Sequence, residues 1–181
     1  MTTPSAQPDE TTTARPGALL VMSDASHRAA LSPAALQRLA RSVDLLLPAP
    51  VTDLAEVDDD LLARTQVIIT GWGAGPITPH TDRLPSLRAV VHTAGTVKHL
   101  LTPAMIEDGL VVSTATAVNA GPVAEFSIAA IIFALKRVQA ALINYHHTRD
   151  KRGEGYVAGI GLNGAVVGLI GLVIMEWQFH S

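Results

Sequence analysis

Short apolar runs alternate with polar, helix-favouring segments along the first two thirds of the chain. The runs are continuous rather than alternating, which is typical of parallel strands that are covered on both faces. The pattern therefore predicts an α/β domain with a parallel sheet of about five strands and helices on both faces. The five predicted strands are residues 18–22, 43–47, 67–70, 87–92 and 110–113.

Capping residues indicate where the intervening helices begin. Ser32 followed by Pro33 is a typical helix start, since serine caps the helix and proline suits its first turn. Thr102 followed by Pro103 predicts a second start of the same kind. The acidic stretch 56–60 predicts a short helix, because acids in a first turn interact favourably with the helix dipole.

The pattern changes after Asn119. One long helix is predicted from Gly121 to about Tyr145, and it is apolar nearly all round as far as Leu135. Such a helix is expected to be buried, between domains or between subunits. A polar loop follows, and residues 164–171 form a predicted sixth strand. The predicted organisation is a tail at 1–16, a domain at 17–118, a helix and loop at 119–160, and the start of another domain at 161–181.

The amino-acid composition excludes some classes of binding partner. The formal charge is −3 without a basic patch, so neither nucleic acid nor an acidic membrane is expected as a partner. The apolar runs 126–135 and 165–175 are both shorter than the roughly 20 residues that span a bilayer. The chain contains no cysteine, which fits the cytoplasm and excludes thiolate chemistry. No metal site is expected.

Three segments carry a more specific pattern. The first is LRAVV at 87–91 with AGT at 94–96, the second is NAGPVAE at 119–125, and the third is LNG with VGLIGL within 162–172. In this order they resemble the D-isomer-specific 2-hydroxyacid dehydrogenase family, over about residues 67–172. Members of that family are roughly twice as long as this chain. The resemblance therefore implies a truncated enzyme that is inactive by itself.

The family resemblance implies a flavodoxin-like substrate domain, a long helix and the first strand of an incomplete Rossmann domain. It also implies that the backbone of Ala94, Gly95 and Thr96 binds the substrate carboxylate, with Thr96 near the nicotinamide and Asn119 near the cleft. Small residues after a strand do let backbone N–H groups approach an anion. Two simpler interpretations stay open: Gly95 makes a turn, and Asn119 only caps a helix. A similar simple interpretation applies to Glu125, which near a helix start only interacts favourably with the helix dipole.

The nucleotide motif is incomplete. A dinucleotide site needs Gly-x-Gly-x-x-Gly between a strand and a helix. Gly171 takes the first position as a remnant, but Val173 and Glu176 occupy the other two. A branched side chain and a carboxylate both oppose a pyrophosphate. We therefore expect that this chain does not bind the NAD or NADP that the intact family uses.

No catalytic residue is predicted in this chain. The family uses a His–Glu pair and an Arg downstream of the glycine motif, and these positions are absent here. The four histidines at 92, 99, 146 and 147 are expected to be structural, with the last two at a solvated helix end. Gly71 to Pro76 superficially suggests a phosphate loop but lacks the third glycine at the required spacing. We interpret it as a mobile loop that lines the cleft.

The predicted function is that of an NAD(P)-dependent oxidoreductase acting on the CH–OH group of D-2-hydroxy acids, present here as a fragment. Its predicted ligand is a small 2-hydroxy or 2-oxo acid, and its predicted partner is a second copy bound through the helix from Gly121. One alternative is a non-catalytic module that binds a small carboxylate or a protein partner. Another is a broken gene product, since the tail 173–181 departs from the preceding pattern as a frameshift would cause.

Overall fold

The computed structural model describes residues 14–149 and 161–170. Contacts along the chain divide it into two units, the first ending at Ala115 and the second beginning at Thr116.

The first unit contains a five-stranded sheet in which all neighbouring strands are parallel, in the order β2-β1-β3-β4-β5. This confirms the predicted parallel α/β fold. The register places Leu19 beside Ile68, Ile68 beside Val90, and Val90 beside Val112. The strands are β1 Gly17–Val21, β2 Asp44–Leu45, β3 Val67–Thr70, β4 Ala89–His92 and β5 Val111–Thr114.

Four helices connect the strands of this unit. Ser32 caps α2 as predicted, because its Oγ accepts a hydrogen bond from the N–H of Ala35 at 3.2 Å. Helix α1, which starts two residues after the end of β1 and is capped by Ser23, was not predicted from the sequence. The helices are α1 Asp24–Ala30, α2 Pro33–Ser42, α3 Asp59–Arg64 and α4 Pro103–Glu107, and two 3₁₀ helices cover Leu54–Glu56 and Thr78–Arg83.

The acidic stretch forms two short elements rather than the single helix predicted from residue 56. Asp53 begins a capping box, in which its Oδ1 accepts from the N–H of Ala55 at 2.8 Å. The Glu56 carboxylate accepts in return from the N–H of Asp53 at 3.1 Å. These bonds close a 3₁₀ turn before α3 begins, which explains the difference.

Both faces of the sheet carry a hydrophobic core, as the continuous apolar strands predict. One face buries Leu19, Ile68 and Val90 together with side chains from α3 and from the segment before α4. The other face buries Leu20 and Ile69 against α2. This second face is covered less well towards the β5 edge, where two valines are exposed: Val91 and Val111.

The second unit contains two helices in place of the single one predicted from Gly121 to Tyr145. Helix α5 covers Thr116–Leu135, so it starts five residues earlier than predicted, and α6 covers Val138–Thr148. Arg137 adopts a left-handed conformation with φ 50°, which interrupts the helix between them. No residue of either helix is buried in this single chain, and the predicted burial between domains or between subunits stays a prediction.

Helix α5 is also relevant to the membrane question. Among the described residues it is one helix whose length and composition would suffice to cross a bilayer, because it continues beyond the apolar run at 126–135. The argument from short apolar runs therefore does not hold for α5. Length and composition do not discriminate further, since core helices of soluble proteins meet the same criteria.

The predicted sixth strand is not formed in the described part of its range. Residues 164–170 have no strand assignment, Gly164 has a positive φ of 72°, and Ala165 donates to the carbonyl of Leu162 at 3.1 Å in a turn. A strand needs a neighbour for its backbone hydrogen bonds, and no described strand pairs with this segment. Gly171, Val173 and Glu176 lie outside the described residues.

Candidate functional site

The loop after β4 lies at the carboxyl edge of the sheet. Its base is anchored by Thr93, whose N–H and Oγ1 both donate to the carbonyl of Thr70, at 2.8 and 3.0 Å. Ala94 is buried, and its carbonyl accepts from the N–H of Ala115 at 3.1 Å. Gly95 and Thr96 are exposed at the tip. The structure thus brings together Ala94, Gly95 and Thr96 on a loop with a fixed base and an accessible tip.

The charge around this loop favours an anion. Lys98 follows it with an exposed side chain, and its N–H donates to Oγ1 of Thr96 at 3.4 Å. No aspartate or glutamate occurs between residues 93 and 106. An ammonium group attracts a small carboxylate. Lys98 was not predicted as a site residue from the sequence, because a lone lysine carries no motif.

A buried histidine lies at the end of β4, directly before this loop. His92 ends β4, is buried, and its Nδ1 lies 2.8 Å from Oγ1 of Thr70 on β3. The ring of His99 packs edge-on against it with centroids 6.1 Å apart. Burial, and to a smaller extent the charge of His99, lower the pKa of His92 below its usual value of 6.5. His92 therefore joins the ends of two strands as a neutral group.

The boundary between β1 and β3 is the other position where ligands bind in folds of this strand order. Here the chain fills that position with its own loop, Gly71 to Pro76. Gly71 donates to the carbonyl of Val21 at 3.2 Å, and Gly75 donates to the carbonyl of Thr52 at 2.7 Å. These bonds connect the loop to the end of β1 and to Thr52, and the predicted mobility of the loop stays a prediction.

Asn119 lies in the second unit and does not cap a helix. It is the fourth residue of α5, so the capping interpretation is wrong. The helix already includes Thr116, Ala117 and Val118, which precede Asn119. Glu125 is consequently the tenth residue of α5, too far from the start to interact strongly with the helix dipole.

The remaining predicted histidines lie at the end of α6. His146 and His147 occupy its last turn, are exposed, and contact each other edge-on with centroids 5.8 Å apart. Their position confirms the predicted solvated helix end. Within residues 14–149 and 161–170, no group of three or more side chains has the arrangement of a metal site.

The Arg83 side chain links three residues that are distant in the sequence, and the sequence did not predict these contacts. Its Nη2 donates to the carbonyl of Val57 at 2.8 Å, its Nη1 donates to the carbonyl of Leu54 at 3.3 Å, and its Nε pairs with Asp59. These partners lie 24 to 29 residues away in the sequence. Because the contacts join distant loops, no local pattern indicates them.

Comparison with known proteins gives the fold. No family model and no curated protein matches the sequence. A phosphoglycerate oxidoreductase from Rhizobium etli is 23% identical with a TM-score of 0.53, over 78% of this chain and 43% of that protein. A 2-hydroxyacid dehydrogenase from Ketogulonicigenium vulgare Y25 is 18% identical with a TM-score of 0.54, over 76% and 41%.

At these identities the likeness shows the fold. The protein has a dehydrogenase-like α/β fold, of the kind present in part of both solved structures. The chain spans less than half the length of each of them. The particular reaction is therefore argued from the residues of the site.

Proposed function

We propose that this chain is the substrate-binding part of an oxidoreductase related to the D-2-hydroxyacid dehydrogenases. The loop Ala94, Gly95 and Thr96 binds the carboxylate of a small 2-oxo or D-2-hydroxy acid. The observation that carries this proposal is the exposed loop tip at the carboxyl edge, fixed at its base and followed by Lys98. Parallel α/β sheets bind ligands beyond the carboxyl ends of their strands, which supports this location.

The chemistry of the ligand follows from the groups at the loop. A carboxylate would accept hydrogen bonds from the backbone of the loop and interact with the ammonium group of Lys98. In the complete reaction, hydride passes between C4 of a nicotinamide and C2 of the acid, while an acid–base group moves the hydroxyl proton. Thr96 is proposed to face the nicotinamide.

This chain is proposed to supply one wall of that cleft. The NAD or NADP of related enzymes is not expected to bind to it, because Val173 and Glu176 occupy glycine positions of the motif. Measurable binding of NAD to the purified chain would contradict this assignment.

Calorimetric titration tests the carboxylate site. Pyruvate should bind, and its uncharged methyl ester should bind much more weakly, because the ester removes the charge that the loop recognises. Lys98→Gln should weaken pyruvate binding, whereas Lys136→Gln provides a matched control on an exposed lysine in the second unit. Equal binding of the acid and the ester, or no binding of either, would refute the proposed site.

A second candidate function, binding of a protein partner, is favoured by the exposure of α5. Phe126 is 75% exposed and Val118 is 78% exposed, although an apolar helix surface of this size is normally covered. We propose that a second copy of the chain covers it in a homodimer. Phe126→Glu should then convert a dimer to a monomer in light scattering, and Val166→Glu, outside the helix, should not. A monomeric wild-type chain would refute the dimer.

A further inference from the structure

A cavity opens at the amino ends of β4 and β5, whereas the loop at 94–96 lies at the opposite, carboxyl edge of the sheet. Its volume is about 420 Å³. Small-molecule sites in proteins typically measure roughly 300 to 1,000 Å³, so the cavity has the size of a ligand site. Arg88 directly precedes β4, Leu110 directly precedes β5, and both residues line the cavity. The cavity is therefore separate from the proposed carboxylate site.

The wall of the cavity is mainly apolar. Leu84 belongs to the hydrophobic core on this face of the sheet, and Leu87, Met105 and Leu110 pack against the same core. Val111 is also part of the wall and is 65% exposed. The wall is thus an open part of the core surface. An apolar group that moves from water onto this surface gains free energy.

Backbone hydrogen bonds hold the segments that form the wall. The N–H of Leu110 donates to the carbonyl of Met105 at 3.1 Å. The N–H of Val111 donates to the carbonyl of Arg88 at 3.0 Å, which joins the starts of the two strands. A Cβ added at Gly109 would meet nothing within 4 Å, so the space beside this residue is open. Binding against a wall with a fixed backbone costs less conformational entropy than binding that must order a loop.

Two exposed side chains of opposite charge lie at this cavity. Arg88 is the cation and Asp108 is the anion among the residues that line it. The ion pairs in the described part of the chain involve other residues, so neither charge has an ion-pair partner there. A guanidinium group binds a carboxylate, and a carboxylate binds an ammonium group. The cavity therefore fits a small ligand that carries both charges and an apolar group.

We infer that the cavity binds a free amino acid with an aliphatic side chain. Arg88 pairs with the α-carboxylate, and Asp108 pairs with the α-ammonium group. The aliphatic side chain of the ligand lies against the apolar wall. A simple carboxylic acid fits less well, because Asp108 repels its carboxylate and has no ammonium group to bind. This site goes beyond the proposed function, since it does not require the loop at 94–96.

Four compounds separate the contributions of the two charges and the side chain. L-leucine carries all three groups, glycine lacks the side chain, isocaproate lacks the ammonium group, and isoamylamine lacks the carboxylate. Titration of the isotope-labelled full chain, followed by the amide NMR signals of Gly109 and Leu110, measures the Kd at this cavity. Glycine should bind at least about tenfold more weakly than L-leucine, because it buries no apolar group. Isocaproate and isoamylamine should each bind about threefold to tenfold more weakly, because each lacks one charged contact.

Substitution of the two charged residues tests their roles. Arg88→Gln and Asp108→Asn should each raise the Kd for L-leucine about threefold to tenfold, because each removes one charged contact. Arg28→Gln and Asp24→Asn remove the same charges from exposed positions of α1 and should leave the Kd unchanged. All four side chains are exposed, so each variant should keep the fold, which circular dichroism checks.

The outcomes distinguish this inference from the proposed function. If L-leucine leaves the signals of Gly109 and Leu110 unchanged, or if any of the three analogues binds as tightly as L-leucine, the inferred site is refuted. Equal weakening by the cavity variants and by the α1 variants would also refute it. Absence of pyruvate binding at the loop would refute the carboxylate site and leave this inference standing. A preference for L-leucine that only the two cavity variants weaken supports the inferred site.

Discussion

The α/β unit and helix α5 contain similar aliphatic side chains in opposite environments. In the first unit Ile68 has no exposed surface, because strands and helices cover it from every side. In α5, Ile128 is 59% exposed and Phe126 is 75% exposed. An apolar segment is buried only when other segments pack against it, and its own sequence does not contain those segments. The first unit contains both the apolar strands and the helices that cover them, whereas α5 is apolar nearly all round and has no such counterpart among the described residues.

The largest expected difference between the two regions comes from a matched pair of substitutions. Ile68→Ala should lower the free energy of unfolding by about 2–5 kcal/mol, because it leaves a cavity in a closed core. Ile128→Ala should change it by less than about 0.5 kcal/mol, because the side chain is exposed. Urea unfolding followed by circular dichroism measures both.

The same pair also tests the proposed dimer. If α5 lies between two copies, the effect of Ile128→Ala should grow with protein concentration, since dimer stability depends on mass action. The effect of Ile68→Ala should not depend on concentration in this way. Equal losses for the two variants at low concentration would contradict the difference in environment.

Glycine substitutions compare backbone constraint in the first unit and in residues 161–170. Gly73→Ala should cost about 2–3 kcal/mol, because φ is +85° and the new Cβ would lie 2.8 Å from Cβ of Ser23. Gly164 also has a positive φ, of +72°, but nothing lies within 4 Å of the new atom. Gly164→Ala should therefore cost only about 1 kcal/mol from backbone strain. Thermal unfolding distinguishes the two, and a similar cost for both would mean that the close approach to Ser23 is unimportant.

Arg83 tests whether the loops of the first unit contribute to its stability as well as the core. Arg83→Met should cost about 1–2 kcal/mol, because the carbonyls of Leu54 and Val57 lose a charged donor. Arg28→Met, at an exposed position in the last turn of α1, is the matched control and should be near neutral. Chemical unfolding of both variants measures the difference, and an unchanged midpoint for Arg83→Met would show that these contacts contribute nothing.

The sequence predicted the fold of the first unit because its signals are local. Continuous apolar runs indicate strands, and Ser32 with Pro33 indicates the start of α2. The same reasoning missed α1, whose cap Ser23 is separated from the end of β1 by Met22 alone. It also placed a strand at 164–171, where the apolar run is present but a neighbouring strand is not. Pairing depends on residues far away in the sequence, and no local pattern contains that information.

The candidate site was predictable only where the residues are consecutive. Ala94, Gly95 and Thr96 form one loop, so the sequence motif that identifies one of them identifies all three. Lys98 was missed as a site residue because a lone lysine carries no motif, and the contact of His92 was missed because it arises from the register between β3 and β4. The same register brings Thr70 to His92, a contact between residues 22 positions apart.

The smallest expected effect concerns this buried histidine and the pH. The pKa of His92 is lowered in the folded state, so between 6.5 and that lower value the unfolded chain binds more protons than the folded one. The free energy of unfolding should therefore fall as the pH drops below about 6.5, by at most about 1.4 kcal/mol per pH unit from this group. His92→Asn keeps a polar side chain that can bond to Thr70 but cannot be protonated, so the loss between about pH 7 and pH 5 should become smaller. His147→Asn, which removes an exposed imidazole from α6, should keep the wild-type loss. If His92→Asn loses as much unfolding free energy on acidification as the wild type, His92 is not the cause of the pH dependence. Some other titratable group then makes the first unit sensitive to acid.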